Sequence, residues 1–320
     1  QLRFLTSLRP DVRSLRRLTE AHAIDVVQVH GATNPHGAIA PRRHGVAVVW
    51  QLFDTRAPLA LRRLAMPLIA RLADGMTVWG RELVALHPGA EQLGGRITVV
   101  YPPVEGSEFE PNADARAAAR AKLGVADGTP LVGSIGVLNP QKGHEHLIRA
   151  AEIVRRSRGD VRFAILGHSS PAHTSYEARL RDEAKALGLT DCLMFVDPGT
   201  RVAELLQAFD VFALTSVPRS EGMPTVILEA MHAGKPVVAT DVAAVRDLVT
   251  HGETGFVVEP ERPERIAEAL TRLLDSPSLA RRLGEAGLAR ARGSFDLDTL
   301  ADLHAHAYRA AVERRTTTAS

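Results

Sequence analysis

The 320-residue sequence has one cysteine, Cys192, and only 4% aromatic residues. A single thiol cannot build a disulfide framework or a multi-cysteine metal site, and its apolar setting, Cys192-Leu193-Met194-Phe195-Val196, fits a core thiol in a reducing cytoplasm. Basic and aromatic residues are not interleaved, so nucleic-acid binding has no support. No run of 18 apolar residues occurs despite a 45% hydrophobic content, which leaves no candidate membrane span. The opening Gln1-Leu2-Arg3-Phe4-Leu5 runs into arginines, so no secretory leader is expected. Lysine is missing from residues 1–105, which hold 13 Arg against 8 acidic residues, whereas the remainder holds 26 basic and 29 acidic residues. The formal net charge of +2 thus conceals a positive front. Solvated helix faces are the ordinary account of such arginines. Peripheral contact with anionic lipid at the inner face of a membrane, or with a phosphorylated acceptor, is the alternative.

Short apolar runs alternate with helical patterns, the signature of an α/β chain with parallel sheets. The length allows two domains. Strands are expected at Val26–Val29, Val46–Trp50, Met76–Val78 and Ile97–Val100. The prolines of Tyr101-Pro102-Pro103-Val104 then break the pattern and mark a hinge. Further strands are expected at Leu131–Ile135, Val161–Leu166, Leu193–Val196, Val211–Leu214, Val237–Ala239 and Phe256–Val258. Helices are expected from Pro263 and Pro277 and over about Leu297 to Glu313, with Thr316 to Ser320 frayed. The implied domains are 1–105, 106–295 and a terminal helical segment, 296–320.

The most informative run extends from Ser220 to Thr240. Pro224 suits a first helical turn, Gly222 permits close backbone approach, and Gly234 can cap the other end. Glu221 stays in the loop, while Glu229 falls roughly 7 to 8 Å into the helix at ~1.5 Å per residue. Two carboxylates therefore flank one helix N-terminus, whose N–H groups and partial positive charge favour an anionic ligand group. Lys142, before Gly143 at another helix start, could grip the same kind of group.

This order of strand, acidic loop, helix and strand resembles the donor signature, Glu-x7-Glu, of the family 4 retaining glycosyltransferases. Their GT-B fold has two facing Rossmann-like domains. The stretch Gly133-Ser134-Ile135-Gly136-Val137-Leu138-Asn139-Pro140-Gln141-Lys142-Gly143 is similar to the family's phosphate loop. Residues 243–249 and 252–258 look like its closing loop and strand. The resemblance implies transfer of a sugar from a UDP- or GDP-linked donor to a hydroxyl on a glycan or lipid-linked acceptor, with retention, no metal and no cofactor. It casts Glu221 and Lys142 in catalysis, Glu221 beside the sugar hydroxyls and Lys142 on the leaving diphosphate. Glu229 would accept hydrogen bonds from the ribose. Gly136, Gly222, Met223, Pro224 and Thr225 would line the sugar and phosphate path. The loops Gly167-His168-Ser169 and Asp197-Pro198-Gly199 would meet base and ribose, because ligands of such sheets bind beyond the strands' carboxyl ends. His30, Asn34, His36 and Asp54 fall on the acceptor side. The terminal helix would pack back on the first domain.

The chain departs from the family at three places. Val137 stands where an Arg is usual, Phe53 where His is common, and the first domain appears without its opening strands and glycine-rich loop, as in a fragment whose sheet would keep an exposed edge. Arg201, Arg219 and Arg56 are the candidate substitutes for the absent cation. A non-catalytic nucleotide-sugar-binding relative is the alternative reading. An NAD-dependent Rossmann enzyme lacks its Gly-x-Gly-x-x-Gly strand-to-helix turn. Asp296-Leu297-Asp298 reads as the opening of a helix rather than a metal motif. His144 with His146, and His304 with His306, are spaced two apart on helices and do not suit one metal.

Overall fold

The structure is a computed structural model describing residues 2–319 apart from 33, 43, 54–56, 219–221 and 243, with side chains described from 12 to 317. It divides into two compact units, Gln1–Pro102 with Asp298–Ser320, and Pro103–Leu297. The divisions thus fall at 102/103 and 297/298, where the sequence suggested 105/106 and 295/296.

Unit 1 runs α1 (Leu2–Ala21), β1 (Val26–His30), α2 (His36–Arg42), β2 (Ala47–Leu52), α3 (Leu59–Leu72), β3 (Gly75–Trp79), α4 (Glu82–Leu86) and β4 (Ile97–Val100). Its described strands form one parallel sheet in the order β1-β2-β3-β4. Every residue of β2 is buried, as expected of a parallel strand covered on both faces. Trp50, Met66, Ile69, Met76 and Leu83 form the heart of this core.

Unit 2 runs α5 (Ala113–Lys122), β5 (Leu131–Ile135), α6 (His144–Ser157), β6 (Arg162–Leu166), α7 (Thr174–Ala186), β7 (Leu193–Val196), α8 (Val202–Leu206), β8 (Val211–Leu214), α9 (Thr225–His232), β9 (Val237–Thr240), α10 (Val245–Leu248), β10 (Gly255–Val258), α11 (Pro263–Asp275) and α12 (Pro277–Ser294). Its sheet is parallel, in the order β10-β9-β8-β5-β6-β7. The chain builds outward from β5 to β7 and then returns to place β8 on the other side of β5. Ligands of open α/β sheets bind at the carboxyl ends beside such a reversal.

The last helix, α13 (Leu297–Ala319), packs within unit 1. Ala311 meets Ala47 and Val49, Tyr308 bonds Gln28, and Arg314 donates to the carbonyls of Asp74 and Gly95. It runs beyond the expected end at Glu313. Residues 316–319 are helical rather than frayed, with the Thr316 and Thr317 hydroxyls donating to carbonyls one turn back.

At the amino-terminal edge of the unit 2 sheet, Arg116, Arg120 and Lys235 donate to the carbonyls of residues 207–209, and Asp210 pairs with both arginines. This lock, buried at Arg120 and Lys235 and half-buried at Arg116 and Asp210, ties α5 to the entry of β8 and satisfies the carbonyls there. Burial, and then the neighbouring Arg116, lower the Lys235 pKa to about 8. The strands themselves are set by close fits. A Cβ at Gly133 of β5 would lie 2.0 Å from the Phe209 ring, itself fully buried. Gly133→Ala is therefore expected to cost about 1–3 kcal/mol, read as a lower urea midpoint at unchanged m-value.

Candidate functional site

The loops leaving β5 and β8 are laced together beside the strand reversal. Gly136 N–H donates to Leu166 O at 3.0 Å and Leu138 N–H to His168 O at 2.9 Å, so the first loop starts as a continuation of the sheet. Asn139 then caps a short 3-10 turn, Pro140–Lys142, its side-chain oxygen accepting from Lys142 N–H at 3.2 Å. Gly143 adopts φ +57°, and a Cβ there would lie 2.3 Å from Thr215 O, so only glycine fits. Across the reversal, the Thr215 hydroxyl donates to Lys142 O at 3.2 Å and Val217 N–H to Gln141 O at 3.1 Å. Gly167 has no Cβ because one would sit 2.0 Å from Gly136 O.

Lys142 turns back over this loop, its aliphatic stem packed where a Gly136 Cβ would be, 3.2 to 3.3 Å away. Beside it, His144 is fully buried at the start of α6. Its ring lies against the backbone of Gly136 and Val137. Burial, with the Lys142 charge second, lowers its pKa to about 4. A neutral imidazole therefore backs the loop, and the positive charge there belongs to Lys142.

Helix α9 starts at Thr225 with Pro224 as its N-cap, one residue later than a first-turn proline would place it. The far end closes as the sequence suggested: Gly234 has φ +66°, and Lys235 N–H donates to Ala230 O at 2.9 Å. The first turn of any helix presents N–H groups with no partner inside the helix. One turn in, Glu229 is largely removed from water. Burial raises its pKa, and the Thr225 hydroxyl, donating to the carboxylate, opposes that rise.

A cavity of about 430 Å³ brings these parts together. Gly136, Val137 and Lys142 line it from the first loop, and Met223, Pro224, Thr225, Val226 and Glu229 from α9 and its approach. Ile135, from the same stretch as Gly136, completes the wall together with Thr200, Val202, Ala203, Glu108 and Phe109, which the sequence did not mark as site residues. Thr200, Val202 and Ala203 follow β7, where the strand-end rule could have found them. Glu108 and Phe109 come from the 3-10 turn Gly106–Phe109 after the hinge, where Phe109 reads in the sequence as part of the break rather than of a site.

Gly222 is half-buried just before the cavity, and Glu221 and Arg219 lie outside the described residues. Gly167, His168 and Ser169 are not in the wall, nor are Asp197, Pro198 and Gly199, where Asp197 accepts from Gly199 N–H in a tight turn. Arg201 is exposed between wall residues Thr200 and Val202. Val137 is 36% exposed, an apolar side chain where the resemblance expects a cation.

In unit 1, His30, Asn34 and Phe53 gather at the strands' carboxyl ends. His30 Nδ1 lies 3.0 Å from Gln51 Oε1, Asn34 donates to His30 O at 2.6 Å, and Phe53 stacks on Trp79 at 4.1 Å. His36 opens α2, while Asp54 and Arg56 lie outside the described residues. Among the described residues no group of three His, Cys, Asp or Glu could hold a metal ion. Asp296 and Asp298 flank the first residue of α13, and His144 and His146 are both buried.

The environment of Glu229 carries a stability consequence. Its folded pKa lies above the unfolded one, so the folded state binds more protons between the two values, and its stability falls as pH rises through that window. Glu229→Gln is expected to raise the melting temperature at pH 7 to 8. The gain should shrink on acidification below the ordinary carboxylate range, as checked by thermal melts across pH.

The family described as glycosyl transferases group 1 matches residues 115–290. A D-inositol 3-phosphate glycosyltransferase of Streptomyces avermitilis is 31% identical over 312 residues, covering 90% of this chain and 66% of that protein. Its counterpart in Streptomyces scabiei is 31% identical over 309 residues, covering 90% and 68%. For that of Nocardia farcinica the identity is 36% over 217 residues, covering 67% and 47%. The chain thus spans about half to two thirds of these relatives. Among solved structures, Anabaena HepE in complex with UDP and glucose is similar at TM-score 0.79 and 25% identity, over 92% of this chain and 80% of that one. A sucrose-phosphate synthase from Thermosynechococcus elongatus shares the fold at TM-score 0.78 and 21% identity, over 100% and 80%. The architecture is therefore that of GT-B enzymes, and the chain belongs to the group 1 glycosyl transferases.

Proposed function

We propose that the protein transfers a sugar from a nucleoside diphosphate to a hydroxyl of a glycan or lipid-linked acceptor, with retention and without a metal or cofactor. The observation that carries this reading is the single cavity at the strand reversal shared by Lys142, the start of α9 and Glu229. As the bond to the leaving diphosphate breaks, negative charge grows on phosphate oxygen. The Lys142 ammonium and the N–H groups at the start of α9 would stabilise it there, supplying the charge a metal would otherwise bring. Ribose hydroxyls donating to Glu229 would favour its charged form, offsetting the cost of its burial. Glu221 is assigned to the sugar hydroxyls, and the leaving phosphate to the face the acceptor enters, so no enzymic nucleophile is needed. HepE, seen with UDP and glucose, supports a nucleotide-sugar donor.

An anionic lipid surface suits the acceptor side. Unit 1 holds 16 arginines, no lysine and 10 acidic residues. Its helix α3 exposes Leu61, Leu64 (77%) and Leu68 beside the exposed Arg63 and Arg71 and contains no acidic residue. A second reading, a relative that binds donor without transferring it, is favoured by Val137 in the cavity wall.

Three measurements test these statements. In calorimetric titrations with UDP, GDP and ADP, at least one nucleotide should bind. Lys142→Ala and Glu229→Ala should each weaken it by about 1–3 kcal/mol, the usual scale for losing hydrogen bonds to charged groups. No binding by the folded chain would overturn the donor site, and binding with neither transfer nor hydrolysis in the intact protein would favour the second reading. Full transfer activity in Glu221→Ala would remove Glu221 from its role. Vesicles rich in anionic lipid should sediment the chain while neutral ones do not, and Leu64→Asp should abolish that binding.

A further inference from the structure

The cavity is chemically unequal along α9. Its anion-accepting end is the start of the helix with Lys142 and Gly136. Glu229 lies about 6 Å further along the axis and His232 about 10 Å, at ~1.5 Å per residue. The Gly106–Phe109 turn packs beside that further end: a Cβ at Gly106 would lie 2.5 Å from the His232 ring. The same turn is held from a second side, because the buried Gln207 amide donates to Phe109 O at 3.0 Å and to Glu110 O at 3.1 Å. Glu108 and Phe109 are thus fixed in the part of the wall away from the phosphate loop. There Phe109, Val202 and Ala203 offer an apolar surface. The exposed Glu108 carboxylate has no hydrogen-bond or ionic partner among the described residues.

A molecule anchored by a diphosphate at Lys142 presents its other end to this surface. An apolar wall with a carboxylate beside it complements a flat heteroaromatic ring with N–H donors on its edge. A carboxylate has two oxygens and accepts only, so it is best matched by two adjacent donors. Guanine offers such a pair, N1–H and the exocyclic amino group, whereas uracil offers one N–H and adenine its amino group alone. We infer that Glu108 reads the base of the donor nucleotide and selects guanine by accepting from its paired N–H groups. This rests on the donor-site reading above.

The test is calorimetry of the chain with GDP, IDP, UDP, ADP and inorganic pyrophosphate. IDP keeps N1–H but lacks the amino group. The wild type should bind GDP about tenfold or more tightly than IDP, since a site built to accept a hydrogen bond discriminates against the analogue that cannot give it. Glu108→Ala should weaken GDP about tenfold or more, bring GDP and IDP within about twofold of each other, and leave pyrophosphate unchanged. Glu108→Gln, with one accepting oxygen, should fall between. Lys142→Ala should weaken GDP and pyrophosphate alike. A Glu108→Ala loss shared with pyrophosphate, equal for all nucleotides, or smaller for GDP than for UDP or ADP would overturn the inference while leaving the donor site standing. Failure of the wild type to bind any of the four nucleotides would overturn the donor site, and this inference with it.

Discussion

Everything at the site depends on two loops, from strands far apart in sequence, holding each other at the point where the unit 2 sheet reverses its order. Gly143 makes this possible by taking a left-handed backbone conformation directly under the Thr215 carbonyl, which lets the Thr215 hydroxyl and the Val217 N–H reach the carbonyls of Lys142 and Gln141. Side chains on a laced pair of loops move together. The cation on one loop and the helix that starts beyond the other are therefore placed by a few backbone contacts. A rigid sheet beneath them removes the freedom that a charged loop in water would otherwise keep.

The electrostatics follow from burial. His144 supports the loop as a neutral ring, because a second positive charge next to Lys142 and out of water would be too costly. Glu229 sits in the opposite predicament, with a carboxylate largely removed from water and, among the described residues, the Thr225 hydroxyl to help it. Such a group costs the folded chain stability once the pH is high enough to ionise it. In the amino-terminal lock, by contrast, Arg116, Arg120 and Lys235 already have carbonyls or Asp210 as partners, which suits a fixed structural joint.

The fold was largely legible because buried parallel strands read as short apolar runs, and β8 and β9 are buried at every position. The proline break near the hinge and the Gly234 cap were also readable, since each has one conformational reason to exist. Of the residues that local chemistry marks in the sequence, Gly136, Lys142, Thr225 and Glu229 line one cavity. The site was not legible where the third dimension supplies the reason. Gly167 matters because Gly136 O passes over it, Phe109 because Gln207 holds its carbonyl, and His146 because the core closes over it. No pattern within a few residues records those facts. The fraying expected over Thr316 to Ser320 rested on nearness to the terminus, yet the helix continues to Ala319.

The partition of the chain also bears on the order of assembly. Unit 2 is one continuous segment, whereas unit 1 is completed only by α13, whose Ala311 fills the space over Ala47, Val49 and Gly75. On the ribosome the first sheet emerges early but lacks that cover until the whole of unit 2 has been made. The nascent first unit must therefore persist with part of its apolar sheet uncovered, so its yield should depend more on chaperone holding and translation speed than that of its neighbour.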